Sequence, residues 1–243
     1  ISDSLRRGEE ERLALATRKL AALEKLMNRT FSDEISLFLT LLHQVAVGFA
    51  EASIYVPIRL LSQLNEERAP RLERFARGQF RQGRGILWAS QRQGLGRLLE
   101  KDSFALCTPT GSGKTLVANL ALVKELMLRA EENGPLALYL VCRLLLANKD
   151  EAKLSSELSN DVIVTGLYGG TDWGVTDYWI DAEEPTVLIA TVEKADALMR
   201  YLGPLLLRRL RLLIVDEAHQ VVPEDNERTQ DDFAEHSSRS LRL

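Results

Sequence analysis

Phe104-Ala-Leu-Cys-Thr-Pro-Thr-Gly-Ser-Gly-Lys-Thr115 decides the fold. The apolar run Phe104 to Thr108 reads as a buried parallel strand and Leu116 onward as an amphipathic helix, so the glycines stand at a strand-to-helix turn. Gly111 and Gly113 supply backbone angles closed to other residues, so that amide N–H groups, that of Ser112 included, can point at phosphate. A helix starting near Lys114 adds the positive end of its dipole. The run Thr108 to Thr115, with Thr110 inside it, has full P-loop spacing: Lys114 reaches the β- and γ-phosphates, and the Thr115 hydroxyl ligates magnesium.

A hundred residues on, Arg211-Leu-Leu-Ile-Val215 is a nearly all-apolar strand that delivers Asp216-Glu-Ala-His219 to its carboxyl end, where parallel sheets build ligand sites. Asp216 is expected to hold Mg2+ through water. Glu217 is expected to orient or deprotonate the water that attacks the γ-phosphate. His219, beside them, is placed to link nucleotide state to a neighbouring domain. ATP and Mg2+ are therefore the expected cofactors.

Strand and helix signals alternate from Arg77 onward, with strands near Phe104, Leu136, Asp161, Thr186 and Arg211. This predicts an α/β domain with a mostly parallel, doubly wound sheet over residues 78–243. Gly169 to Glu184, rich in Gly, Asp and aromatics, reads as a loop. Residues 1–77 read as a helical accessory domain. Glu9 to Met27 is an amphipathic helix; Ser32 with Asp33 and Glu34 starts another; and Ile35 to Phe49 is apolar around much of its circumference, as a buried helix would be. Pro57 and Pro70 mark helix breaks or starts.

These segments resemble the superfamily 2 helicases with a DEAH-form second motif, in particular their Ski-type branch. The resemblance runs from about Leu87 to His219 and implies a RecA-like P-loop domain. It implies further that Gln91, in Ile86-Leu-Trp-Ala-Ser-Gln91, reads the adenine edge, for which a side-chain amide has both donor and acceptor. Leu138-Tyr-Leu-Val-Cys142 with Leu146-Ala-Asn148 resembles a segment that grips the nucleic-acid backbone, with Cys142 where the family has proline. Val164-Thr-Gly166 and Ile189-Ala-Thr-Val-Glu-Lys-Ala-Asp196 resemble two more, which adds Asn148, Gly166, Thr191 and Lys194 as nucleic-acid contacts. The bare residues at Thr191 read equally as a helix N-cap, and capping is compatible with phosphate contact.

The resemblance also implies partners: a single-stranded or tailed duplex nucleic acid, with DNA favoured over RNA, and a second RecA-like domain for which the residues after His219 leave no room. Hachiman-type bacterial anti-phage helicases resemble the same branch. They supply the alternative expectation of an ATPase sensor that controls a partner nuclease. Ile1 in place of Met suggests a piece of a longer polypeptide.

Composition fits an ordinary globular protein, at 45% apolar and 27% charged residues, which excludes a disordered or fibrous chain. The best apolar stretch is interrupted by Arg143, so no spanning helix and no membrane partner are expected, and a cytoplasmic location fits. Cys107 and Cys142 have neither CxxC spacing nor nearby histidines and read as small buried thiols in a reducing compartment; His43 and His236 belong to no constellation. The net charge of −4 does not announce a nucleic-acid binder, yet Arg74, Arg77, Arg81, Arg84, Arg92 and Arg97 follow one another with no acid between, and an acidic stretch follows Pro223.

Overall fold

The computed structural model describes residues 1–30, 33–100, 103–109, 111–128, 134–141, 144–158, 162–167, 179–180 and 182–218, with the backbone alone at 28, 30 and 144–150. The chain forms two compact units, Ile1–Val117 and Ala118–Leu243. Thr110, Cys142, Arg143, His219, His236, most of the loop expected after Gly169 and the acidic stretch after Pro223 lie outside the described residues.

The first unit is helical: α1 Ser2–Arg7, α2 Glu10–Thr30, α3 Asp33–Glu51, α4 Tyr55–Ser62, α5 Ala69–Arg81 and α6 Ala89–Glu100, followed by the glycine-rich turn and the start of α7, Lys114–Leu122. Local chemistry fixes the ends. Gly8, at φ 72°, closes α1 in the left-handed conformation, and Pro70 stands in the first turn of α5, where a missing N–H costs nothing. Ile54, Ile58, Leu61 and Leu72 are the centre of the core, each no more than 1% exposed. Around them Tyr55 stacks on Phe80 at 5.6 Å and donates its hydroxyl to the Arg6 carbonyl at 3.1 Å.

The expected domain boundary at Arg77 falls inside α5. Beyond α5 the chain is tied back: Ile54 N–H donates to Gly85 O, and Leu87 N–H to Ala52 O. The helical region therefore continues without a break into α6.

Helices α2 and α3 form an antiparallel hairpin closed by Glu24, which accepts from Thr40 Oγ1 at 2.8 Å and pairs with His43 Nδ1 at 2.7 Å. The expectation that Ile35 to Phe49 is buried fails. Leu39 and Ala46 turn inward, whereas Phe38 is 63% exposed. Its apolar circumference serves two faces, one of them uncovered. By length and composition α3 is also long and apolar enough to cross a membrane, which charge counting along the sequence had missed because it weighed the stretch near Arg143.

The second unit is α/β, with β1 Leu136–Val141, α8 Leu144–Leu158, β2 Ile163–Leu167, β3 Thr186–Thr191, α9 Val192–Arg209 and β4 Leu210–Val215. The sheet is entirely parallel, in the order β2-β3-β1-β4. β1 and β3 are buried along nearly their whole lengths, because helices cover both faces of a parallel sheet and a central strand must be apolar on both. β4 alternates between half-buried and exposed positions, as an outer strand does.

Four of the five expected strands form. The fifth, Phe104 to Thr108, takes no strand pairing, and its residues alternate between half-buried and exposed. Cys107 accordingly is exposed, not the buried thiol expected. An apolar run becomes a buried strand only where a neighbour supplies hydrogen bonds on its edge, and that requirement is invisible to local pattern.

Candidate nucleotide site and nucleic-acid edge

The glycine-rich turn is held from outside by the start of α6. Ser90 Oγ donates to Ser112 O at 3.0 Å, and Gln91 Nε2 donates to Gly113 O at 3.2 Å. A trans peptide sets its C=O and the following N–H in opposite directions. Drawing the Ser112 and Gly113 carbonyls toward α6 therefore turns the Gly113 and Lys114 N–H groups to the other side of the turn, the orientation a phosphate requires. Gly111 and Gly113 both have φ 83°, as the sequence demanded. A Cβ on Gly113 would collide with the Gln91 amide, whereas one on Gly111 meets nothing within 4 Å. Ser112 N–H donates to Pro109 O at 3.2 Å, and its hydroxyl shares a 2.6 Å hydrogen bond with Thr108 Oγ1. α7 begins at Lys114, and both Lys114 and Thr115 are half-buried in its first turn.

Gln91 is buried, and its Oε1 accepts from Trp88 N–H at 2.8 Å, closing the N-terminus of α6 in the manner of a capping box. One amide thus joins helix start and phosphate turn. Trp88, which the sequence reading passed over, holds a large aromatic face 58% exposed at the same helix end.

In the second unit the ladder continues one step past β4: Asp216 N–H donates to Leu140 O at 2.9 Å, which seats Asp216 at the carboxyl end of the strand. Its Oδ1 accepts from Glu217 N–H at 2.9 Å. Glu217 has φ 50°, the one positive value among described non-glycine residues. A glutamate held in the left-handed region is uncommon and marks a turn set by its surroundings rather than by its own preference.

Register places the other expected residues on the same edge. Thr191 pairs with Val141 on one side of β1, and Val215 pairs with Leu140 on the other, so Thr191 and Asp216 stand two strands apart, about 10 Å. Gly166, next to last in β2, pairs with Ile189. Thr191 caps α9: its Oγ1 accepts from Lys194 N–H at 3.5 Å. Asn148 lies in α8, which follows the end of β1. Asp196, in the expected nucleic-acid segment, pairs with Arg200 at 3.1 Å along the helix surface.

Among the described residues no three His, Cys, Asp or Glu side chains gather as a metal cage. Magnesium is usually bound through one or two protein oxygens, water and substrate phosphates, and the Thr115 hydroxyl and Asp216 carboxylate are of that chemistry.

A phosphate turn braced at the mouth of a helix, together with an Asp-Glu pair at the end of a parallel strand, defines a P-loop nucleotide-binding domain. Residues 88–240 match the DEAD/DEAH box helicase family, more than half of the chain, and the chain belongs to that family. Over 134 residues it is 37% identical to the Hachiman protein HamB of Bacillus cereus, covering 54% of this chain and 12% of that one. Over 131 residues it is 34% identical to the ATP-dependent DNA helicase Hel308 of Pyrococcus horikoshii, covering 53% and 17%. The chain thus spans under a fifth of these relatives. In fold it is similar to the helicase MrfA, solved with DNA and AMPPNP, at TM-score 0.52 and 22% identity over 61% of this chain and 21% of that one.

Proposed function

We propose that the chain is the first motor domain of an ATP-dependent helicase or translocase that moves on nucleic acid, working against a second RecA-like domain. The observation that carries this reading is the shared carboxyl edge of the sheet, where Asp216 and Glu217 stand about 10 Å from Thr191. Nucleotide chemistry and polymer contact then act on neighbouring ends of one rigid sheet.

In this reading Gly111, Ser112, Gly113 and the first turn of α7 bind the phosphates, Lys114 neutralises charge on the β- and γ-groups, and Thr115 and Asp216 hold Mg2+, which would supply charge neutralisation at the transferred phosphoryl. Glu217 orients the attacking water, and Gln91 faces the base while bracing the turn. Thr110 and His219 keep the roles read from the sequence. Asn148, Gly166, Thr191 and Lys194 contact the polymer backbone, which fits translocation because backbone contacts are independent of sequence. The Hel308 relatives favour DNA over RNA as the track, and a cytoplasmic location fits both readings.

Similarity to HamB favours a second reading, in which the same ATPase senses nucleic acid in an anti-phage complex and controls a partner nuclease. Both share one test. Lys114→Ala is expected to abolish ATP turnover with the fold intact, because the braced turn survives loss of the side chain; undiminished turnover with the same circular dichroism spectrum would overturn the assignment. A nuclease that co-purifies with the protein and is released on ATP hydrolysis separates the second reading from the first.

A further inference from the structure

The α2–α3 hairpin has an uncovered side. On α3, Ile35, Phe38, Leu42, Val45 and Phe49 recur at the three-four spacing of a heptad seam, and Phe38, Leu42, Val45 and Phe49 are 63%, 41%, 51% and 48% exposed. The face of α3 that meets α2 is a different one, carrying Thr40 and His43. On α2, Leu15, Leu23 and Leu26 are exposed as well. On each helix the exposed stripe is turned roughly a third of a turn from the packed face, and because the helices are antiparallel both stripes come to the same side of the hairpin. This is a continuous two-helix apolar surface, of the kind that folded monomers rarely leave open.

We propose that this surface is a dimer interface, occupied by the same hairpin of a second copy, with the two α3 helices antiparallel. Three observations select that occupant. The seam is self-complementary, as a twofold interface requires: in antiparallel register Leu42 meets Val45 of the other copy and Phe38 meets Phe49, each pairing occurring twice around an axis between Leu42 and Val45. The seam carries no charge, and Asp33 and Glu51 fall on the opposite side of the helix. The area suffices, since two helices about 30 Å long and together about 20 Å wide present about 600 Å² per copy, or about 1,200 Å² in all, the lower bound of standard interfaces.

A membrane suits the surface less well. α3 has acids in its first turn and at its C-terminal end and no Lys or Arg, so it offers anionic headgroups only repulsion, while α2 has too many charges to enter a bilayer beside it.

Sedimentation of the intact chain from about 1 to about 50 µM tests the proposal, with Leu42→Glu and Val45→Lys as variants. These surface positions tolerate polar side chains, and unchanged circular dichroism shows that the fold is kept. The parent is expected to dimerise and each variant to dissociate at least 100-fold more readily. The two variants mixed one to one should recover at least tenfold, since the carboxylate introduced at position 42 of one copy then faces the ammonium introduced at position 45 of the other. A parent that stays monomeric at the highest concentration, a variant that dimerises like the parent, or a mixture no tighter than its components overturns the proposal. So does flotation of a monomeric parent with phosphatidylcholine–phosphatidylglycerol vesicles, which would assign the face to a lipid surface.

Discussion

At the scale of single residues the site depends on backbone conformations that only certain side chains tolerate. Gly113 combines φ 83° with a Cβ position already filled by the Gln91 amide. Gly113→Ala is therefore expected to cost about 1–2 kcal/mol for the left-handed angle alone and to displace Gln91 as well. Chemical denaturation measures the first effect and ATP affinity the second. Glu217 shows the reverse. Its φ of 50° is unfavourable for glutamate, and relief of about 1–2 kcal/mol in Glu217→Gly, less about 0.5–1 kcal/mol for the flexibility of glycine in the unfolded chain, gives a small net gain in stability. Turnover should be lost in the same variant. A destabilised variant would show that the neighbours, rather than the carboxylate's function, hold this angle. The glycines of the P-loop were legible because their spacing encodes the turn; the strained Glu217 was not, since no glycine or asparagine marks the position.

At the scale of elements, the clearest device is the Glu24 clasp between α2 and α3. The Thr40 hydroxyl first, then His43, hold the Glu24 carboxyl below its ordinary value of 4.5. An acid with a depressed folded-state pKa contributes stability that is complete above the unfolded value and fades as pH falls below 4.5 through the folded one. The difference in melting temperature between parent and Glu24→Gln should thus be present at neutral pH and shrink toward zero in strong acid. A difference independent of pH would refute the clasp. Thr191→Ala should weaken α9 by about 0.5–1 kcal/mol, the low end for caps, because the 3.5 Å bond is long, while Thr191→Ser keeps it. If polymer binding falls in the alanine variant and survives in the serine one, the hydroxyl serves both roles.

Elements were legible in proportion to how local their causes are. β1, β3 and β4 are long apolar runs, and α9 begins at the threonine where capping chemistry puts it. Phe104 to Thr108 has the same apolar character yet takes no strand pairing, since pairing depends on a partner edge. Arg209 was not legible at all: at the end of α9 it donates to Gly134 O, Trp179 O and Ile180 O at 2.7, 2.6 and 2.9 Å, pinning the segments that lead into β1 and β3. Nothing in an arginine among the last residues of a helix announces three distant carbonyls.

At the scale of the whole molecule, the chain holds both motifs of a nucleotide motor and under a fifth of the length of the relatives it resembles. The second motor domain would supply the positive charge that stabilises phosphoryl transfer, an effect on the order of 10³ to 10⁵ in rate. The 243-residue chain alone is therefore expected to bind ATP and hydrolyse it slowly. The central claim is a nucleic-acid-dependent ATPase, and the most direct measurement is steady-state ATP hydrolysis by the full-length polypeptide with no polymer, single-stranded DNA, single-stranded RNA and tailed duplexes, with Glu217→Gln as the blank. Stimulation by one polymer, absent in Glu217→Gln, is the predicted result and identifies the track. Hydrolysis unchanged by every polymer, or undiminished in Glu217→Gln, would contradict the account.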